Sequence, residues 1–413
     1  MNKFFVEGYG CSLNIGETEQ IAGFLTKYNY TQVDSVKSAD LIIVNTCSVK
    51  MVTEQRMLSR IQFLLVNKKK KAKLIITGCL AKTNNSQIQN ISKELIVLDT
   101  KLESLAKVLD LKEEKFSPKI IEEQSQDYVS IIPISVGCMG NCTYCATKLA
   151  RGSLHSYSIE EINNSFKRAL AKSKEIWITS QDLGCYGFDT GHYLPELIKK
   201  LLENKGEYRI RLGMMNPVHF KKIQKDLMPL FSDDRLYKFL HLPVQSGSNK
   251  ILKAMNRGKV TDFTNALNYI RKKVPGIRIA TDIIVGFPGE TKNDFKESIE
   301  LIKKVRIGVV NISRFGKRKG TVADTLKNQL TEKEKKERSK ELALVVKKIL
   351  LQDNGKLIGQ EGIALVSQKA NKNGYIARTG NYAQVIVDSG FGEFITVKIT
   401  SASSNFLKGE KLS

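Results

Sequence analysis

The sequence predicts an α/β protein in three parts: a parallel sheet with covering helices, a strand–helix series forming a partial (β/α)6 barrel, and a small C-terminal β-barrel. Three observations carry this. Short apolar runs alternate with helical patterns from residue 3 onward, the mark of parallel sheets. A charged, proline-containing stretch, LKEEKFSPKIIEEQSQDY at 111–128, interrupts that alternation. Beyond a charged helical stretch at 331–354, the pattern changes to short strands with glycine turns. The expected boundaries are 1–110, a linker at 111–128, the barrel at 129–330, a connecting helix at 331–355 and the small barrel at 356–413.

In the first part, KFFVEGY, ADLIIVNT, KLIITG and ELIVLD read as strands. GETEQIAGFLTKY and VTEQRMLSRIQFLLVNKK read as helices between them. Three of the strands run straight into a cysteine: Cys11 in YGCSLN, Cys47 in NTCSVK and Cys79 in TGCLAK. In an open parallel sheet the carboxyl ends of the strands share one edge, where ligands bind. Three cysteines far apart in sequence should therefore converge there, and convergence argues for an iron–sulfur cluster with one iron left open.

The second part opens with VGCMGNCTYCATKLAR, in which Cys138, Cys142 and Cys145 are spaced C-x3-C-x2-C. Cubane clusters are held by cysteine thiolates, normally four. No fourth cysteine follows nearby, so one iron would be open to a small molecule. Structural zinc sites want four ligands in paired sets, and no histidine or second pair lies close by. The strands that follow are SIIPISVG, EIWITSQ, YRIRLGMMNP, YKFLHLPVQS, IRIATDIIVG and VVNISRF. Active residues of such barrels sit at strand carboxyl ends, which here carry Gln181, Asp182, Asn216, Gln245, Ser246 and the loop Gly286 to Glu290. That GFPGE loop is either a tight turn capped by Glu290 or, as expected here, a wall of the cofactor pocket. Arg211 and Arg257 are candidate carboxylate partners, since guanidinium pairs bidentately with carboxylate. His241, between apolar neighbours, reads as a satisfied core residue. In the third part, Arg378 beside Tyr375 and Tyr382 sets a cation among aromatics, as nucleic-acid-binding barrels do.

Composition excludes several classes. No run of eighteen apolar residues exists, so no membrane span is expected. The start, MNKFFVEGYG, lacks the apolar core and cleavage site of a secretory signal. Seven cysteines, several in ligand-like spacing and Cys185 left over, suit a reducing cytoplasm rather than a disulfide framework. A net charge of +24 favours capture of polyanions.

C-x3-C-x2-C with Tyr144 before its last cysteine is similar to the signature of the radical S-adenosylmethionine enzymes. Along its whole length the chain resembles the methylthiotransferases within that class, through YGCSLNIGETE, NTCSVK, TGCLAK, GCMGNCTYCATKLARG, LHLPVQSGS, TDIIVGFPGET and RFGKRKGT. WITSQDLGCYGFD and RLGMMNP resemble the archaeal and eukaryotic branch that acts on tRNA threonylcarbamoyladenosine. The alternatives are the isopentenyladenosine and ribosomal-protein branches and, from another class, a non-catalytic iron–sulfur RNA-binding protein. The pattern departs from the family at Lys259, Lys319 and Cys185, and Cys185 is expected to be a packed residue rather than a ligand.

The resemblance implies a radical S-adenosylmethionine barrel and a C-terminal TRAM domain. It implies two 4Fe-4S clusters, held by Cys11, Cys47 and Cys79 and by Cys138, Cys142 and Cys145, the residues that carry catalysis. It implies S-adenosylmethionine near Tyr144, Gln181, Asp182, Arg211, Gln245, Arg257, Gly286, Gly289 and Glu290. One cofactor molecule would methylate a cluster-held sulfur, and a second would yield the radical that takes hydrogen from C2 of the adenine. The implied partners are a reducing electron donor and the tRNA anticodon loop, met by Lys317, Arg318, Lys319 and Arg378. The expected protein is a cytoplasmic monomer, and loss of 356–413 is expected to weaken tRNA binding while sparing S-adenosylmethionine cleavage.

Overall fold

The fold is described from a computed structural model covering residues 2–48, 51–111, 128–370 and 373–412. The expected linker at 111–128 lies outside these residues except for its two ends. Packing groups the chain into two compact units. One comprises Met1–Glu123, Ile131–Ser165 and Gly316–Asp324; the other comprises Gln124–Ser130, Phe166–Phe315 and Thr325–Ser413. The segment bearing C-x3-C-x2-C thus packs with the N-terminal sheet, a grouping that periodicity along the chain does not reveal.

The first unit is built on a parallel sheet of β1 (Lys3–Gly8), β2 (Thr31–Gln32), β3 (Leu41–Thr46), β4 (Lys73–Gly78) and β5 (Ile96–Val97), in the order β2-β1-β3-β4-β5. Every residue of β3 is buried, as expected of a central strand covered on both faces. On one face Ile42, Val44, Leu74 and Ile76 pack on Met57, Ile61 and Leu64 of the helix Met51–Asn67. On the other, Phe4, Ile43 and Ile75 meet Ile21 and Leu25 of the helix Ser12–Lys27. Each such side chain contributes about 1.5–3 kcal/mol by leaving water.

Glu19 on the helix Ser12–Lys27 works against this stability, because burial pushes its carboxyl up to about 7. The native state then binds more protons than the unfolded chain between pH 4.5 and 7, so stability falls as pH rises through that window. Glu19→Gln is expected to stabilise the protein at pH 8, by up to about 3 kcal/mol, and to change little at pH 4. Urea melts of both proteins at the two pH values check this.

β6 (Val129–Pro133) starts the barrel series, and β7 (Ser135–Val136) pairs antiparallel with β8 (His155–Ser156) in the first unit. In the second unit β9 (Glu175–Thr179) pairs in parallel with β10 (Arg209–Leu212). β11 (Phe239–His241), β12 (Arg278–Val285) and β13 (Val309–Arg314) form a second parallel set. Tyr237 N–H donates to the Ile210 carbonyl at 3.0 Å and Met215 N–H to that of His241 at 2.9 Å, joining the two sets. At the other edge, Glu175 N–H donates to the Tyr128 carbonyl, just before β6. The result is six strands in chain order, the expected partial barrel. After the helix Glu332–Gly355, β14 (Glu361–Lys369), β15 (Tyr375–Thr379), β16 (Gln384–Val387), β17 (Phe394–Ala402) and β18 (Leu407–Lys411) close a barrel in the order β14-β15-β16-β18-β17. Its core is Val366, Ala377, Val385, Val387, Ile395, Val397 and Leu407.

This small barrel is docked on the amino ends of the larger barrel's strands. Lys238 N–H donates to the Gly380 carbonyl at 2.8 Å and Tyr128 N–H to that of Ser367 at 2.9 Å. Tyr382, at φ +63°, places its ring 4.8 Å from those of Tyr237 and Phe239. Glu175, wholly buried at the start of β9, accepts from Trp177 Nε1 at 2.6 Å and from the Ser367 hydroxyl, and pairs with Arg378 at 3.2 Å. Arg378 is itself buried, over the rings of Tyr382 and Trp177, and also donates to Gln368. That corrects the expectation of Arg378 as a phosphate contact: its charge is spent on Glu175. The C-terminal barrel is part of the larger barrel's floor, not a detachable hand.

Candidate functional site

The ends of β1, β3 and β4 stand level, since Gly8 is opposite Asn45 and Thr46 opposite Gly78. Cys47 and Cys79 follow β3 and β4 directly, and Cys11 precedes the helix Ser12–Lys27. Asn14 and Asn45 tie the ends together. Asn14 Nδ2 donates to the carbonyls of Tyr9 at 2.7 Å and Asn45 at 3.0 Å, and Asn45 Nδ2 returns to the Asn14 carbonyl at 2.9 Å. Gly10 (φ +113°) lies so close to Cys47 that any Cβ would collide with its sulfur. A Cβ on Gly78 (φ +93°) would collide in the same way with the backbone of Thr46, standing 2.5 Å from its nitrogen. Both turns require glycine, for conformation and for space.

Cys47 and Cys79 are buried while Cys11 is exposed. Burial raises the Cys79 thiol above its ordinary value, and Arg151 opposes that shift. Arg151 Nε donates to Cys79 Sγ at 3.3 Å, and its guanidinium pairs with Glu17 and donates to Asn14 Oδ1 at 3.1 Å. Three thiols at adjacent strand ends, one open to solvent and one met by a cation, fit a cluster held as thiolates with an accessible iron.

The C-x3-C-x2-C loop fits likewise. Gly140 N–H donates to Cys138 Sγ at 3.2 Å, and a Cβ on Gly140 would stand 3.3 Å from that sulfur and 3.9 Å from that of Cys142. The chain turns between Cys142 and Cys145, whose N–H donates to the Cys142 carbonyl at 3.1 Å. Burial raises the Cys145 thiol, and neighbouring Cys142 adds to it. Tyr144 is half-buried inside this turn. The short helix Thr147–Arg151 follows and delivers Arg151 to Cys79.

In the second unit, Gln181 and Gln245 each bury an amide oxygen without a hydrogen-bond partner among the described residues. Gln245 is also held at φ +78°, a left-handed conformation costly for a non-glycine residue. Both features suit a site completed by a ligand. Arg211 stands over Trp177, Phe239 and Tyr382 at 5.1–5.7 Å, its Nε buried and without a hydrogen-bond partner among the described residues.

Other expected cofactor residues have internal tasks. Asp182 is buried and accepts from the N–H groups of Gly184 and Asn216 and from His219 Nδ1 at 2.6 Å, so it organises its own loop. Arg257 donates to the Pro243 carbonyl at 2.5 Å. Glu290 is buried, pairs with Arg338 and accepts from Gly286 N–H at 2.8 Å. Gly286 packs on Lys335, and Gly289 turns at φ +79°. GFPGE is therefore braced by the helix Glu332–Gly355. His241 pairs with Asp282 at 2.9 Å, as a satisfied residue should. Cys185 is fully buried, its thiol donating to the Asp182 carbonyl at 3.2 Å.

Among the residues expected to meet RNA, Lys317 and Lys319 are exposed. Arg318 instead turns inward, donating to the Ser48 carbonyl at 3.0 Å beside Glu54. The sequence reading missed Arg151 with Glu17 and the His219–Asp182 pair. Arg151 could have been found as the one arginine of the basic element after Cys145; His219 had no local signal.

Residues 132–302 match the radical SAM superfamily, residues 3–99 the uncharacterized protein family UPF0004 and residues 355–412 the TRAM domain. A solved radical S-adenosylmethionine methyltransferase, TsrM from Kitasatospora setae, shares the fold at a TM-score of 0.58 and 10% identity, over 78% of this chain and 76% of that one. The chain is thus an enzyme of the radical S-adenosylmethionine class, with S-adenosylmethionine and an iron–sulfur cluster as its cofactors. Proteins named probable threonylcarbamoyladenosine tRNA methylthiotransferase are 39% identical in Pyrococcus horikoshii, over 99% of both chains, and 36% identical in Methanocaldococcus jannaschii, over 99% of this chain and 96% of that one. The human threonylcarbamoyladenosine tRNA methylthiotransferase is 33% identical over all of this chain and 74% of its own length. The chain belongs to the threonylcarbamoyladenosine tRNA methylthiotransferase family.

Proposed function

We propose that this enzyme adds a methylthio group to C2 of N6-threonylcarbamoyladenosine beside the tRNA anticodon, using S-adenosylmethionine and two 4Fe-4S clusters. The observation that carries the reading is the pair of cysteine sets, one at three level strand ends and one in a single tight loop. A cluster with an open iron supplies the electron that cleaves S-adenosylmethionine and, at the second set, a place to hold sulfur.

The protein's share is to hold and orient. Cys138, Cys142 and Cys145 would hold the cluster that binds the cofactor's amino acid group, and Cys11, Cys47 and Cys79 would hold the one that carries the sulfur. In the second unit, Gln181 and Gln245 have buried amide oxygens to offer a ligand. A radical route suits the target, because an aromatic C–H has neither an acidic proton nor a leaving group. An anticodon loop is single-stranded, so its base is unstacked at low cost. Attraction of the +24 chain for phosphate supports tRNA as the substrate, with exposed Lys317 and Lys319 as contacts. A cytoplasmic site of action goes with that substrate; no helix among the described residues is long and apolar enough to cross a membrane.

Mass spectrometry of tRNA nucleosides from cells with and without the gene tests the reading. The methylthio form of threonylcarbamoyladenosine should vanish without the gene, leaving the unthiolated nucleoside. A deficit in methylthio-isopentenyladenosine instead would transfer the chain to the other tRNA branch.

A further inference from the structure

Arg151 is the most enclosed arginine at either cysteine set, with 1% of its side chain exposed. It sits six residues beyond Cys145, at the end of the short helix that follows the C-x3-C-x2-C loop. Yet its Nε–H points at the sulfur of Cys79, which belongs to the other set. The other face of the guanidinium is taken by both oxygens of Glu17 and by Asn14 Oδ1. Asn14 is the residue that laces together the ends of β1 and β3. One cation thus joins a cluster ligand, its balancing carboxylate and the scaffold of the strand ends.

A buried charge in contact with a ligand sulfur has an electrochemical consequence. Reduction adds one electron to a cluster and increases the negative charge on its sulfurs. A hydrogen bond and a positive charge at one sulfur favour that reduced state, and a nearby carboxylate disfavours it. Arg151 and Glu17 therefore act on the same cluster with opposite signs. Solvent screens neither strongly, as Glu17 has 13% of its side chain exposed.

We propose that Arg151 is a positioning residue that fixes the C-x3-C-x2-C loop to the N-terminal cluster and, with Glu17 as its counterweight, sets the reduction potential of that cluster. This rests on the reading that Cys11, Cys47 and Cys79 hold a cluster. The arrangement has a use in the reaction: the cysteine set that makes the radical and the set that holds the sulfur need a constant separation. A helix of five residues ending in a buried ion pair supplies it.

The test is a redox titration followed by electron paramagnetic resonance. The full chain carries Cys138, Cys142 and Cys145 as alanine, so that only the N-terminal cluster contributes. Arg151→Gln should move the midpoint to more negative potential by at least 59 mV, a tenfold change for a one-electron couple. Glu17→Gln should move it positive by a comparable amount, and Arg151→Lys should restore most of the potential lost in Arg151→Gln. Opposite signs are the mark of electrostatic tuning, since a merely loosened fold would shift both variants alike. If Arg151→Gln fails to fold, Glu17→Gln still decides the sign. Unchanged potentials, or shifts of one sign, overturn the inference and leave the two-cluster reading standing. No cluster at all in the triple alanine background overturns both.

Discussion

Arg378→Ala is expected to destabilise the enzyme by about 3–5 kcal/mol, the cost of leaving a buried charge without its partner. Glu175 has no exposed surface, and once the guanidinium is gone Trp177 Nε1 and the Ser367 hydroxyl are the side-chain donors that remain to it among the described residues. The cation–aromatic stacking on Tyr382 and Trp177 is lost as well. Replacing both charges with apolar residues of similar size, as in Glu175→Leu with Arg378→Met, should cost less than the single change, because the penalty is that of an unpaired ion. Urea unfolding of the two variants measures this directly. A surface arginine that gripped phosphate would behave otherwise: stability would hold within about 0.5 kcal/mol and the salt dependence of tRNA affinity would flatten. The same geometry bears on truncation. Cutting away 356–413 removes Ser367, Arg378 and Tyr382 together and uncovers Tyr237 and Phe239, so the shortened chain is expected to lose S-adenosylmethionine cleavage through misfolding.

Changing Cys138, Cys142 and Cys145 together to alanine should abolish S-adenosylmethionine cleavage, a fall of more than about a thousandfold, since it removes the cluster whose open iron would bind and reduce the cofactor. Iron should fall to about half rather than to zero. The N-terminal set has its own scaffold in the Asn14–Asn45 lacing and the Gly10 and Gly78 turns, none of which uses the lost thiols. The reciprocal change at Cys11, Cys47 and Cys79 should keep cleavage and lose methylthio transfer. Iron analysis and 5′-deoxyadenosine formation, on anaerobically reconstituted protein, separate the two cases. If either triple change empties the whole chain of iron, the two sets do not form independent sites.

Where the sequence could be read, the signal was local. Strand periodicity placed Cys47 and Cys79 immediately after β3 and β4, and Cys11 past the end of neighbouring β1. The closed C-terminal barrel announced itself through short strands and glycine turns. Where the reading failed, the deciding partner lay far along the chain. Arg378 looked like an RNA contact because its neighbours in sequence are aromatic, whereas its partner Glu175 is some two hundred residues away. Arg318 sits between two lysines that do face solvent, yet its acceptor is the carbonyl of Ser48. Glu290 could be read either way from GFPGE, and its ion-pair partner Arg338, on a helix assigned to the next part of the chain, left no signal near that loop. Charge and turn propensity give a residue's type of task; burial, set by the assembled fold, gives its direction.

The most direct test follows the hydrogen at C2 of the adenine. The reconstituted full chain would be given S-adenosylmethionine, a reductant, a sulfide source and tRNA whose threonylcarbamoyladenosine carries deuterium at C2. One deuterium should appear in 5′-deoxyadenosine for each methylthio nucleoside formed, and the product nucleoside should have lost it. Deuterium retained at C2, with unlabelled 5′-deoxyadenosine accumulating, would contradict hydrogen abstraction from that carbon and with it the proposed reaction.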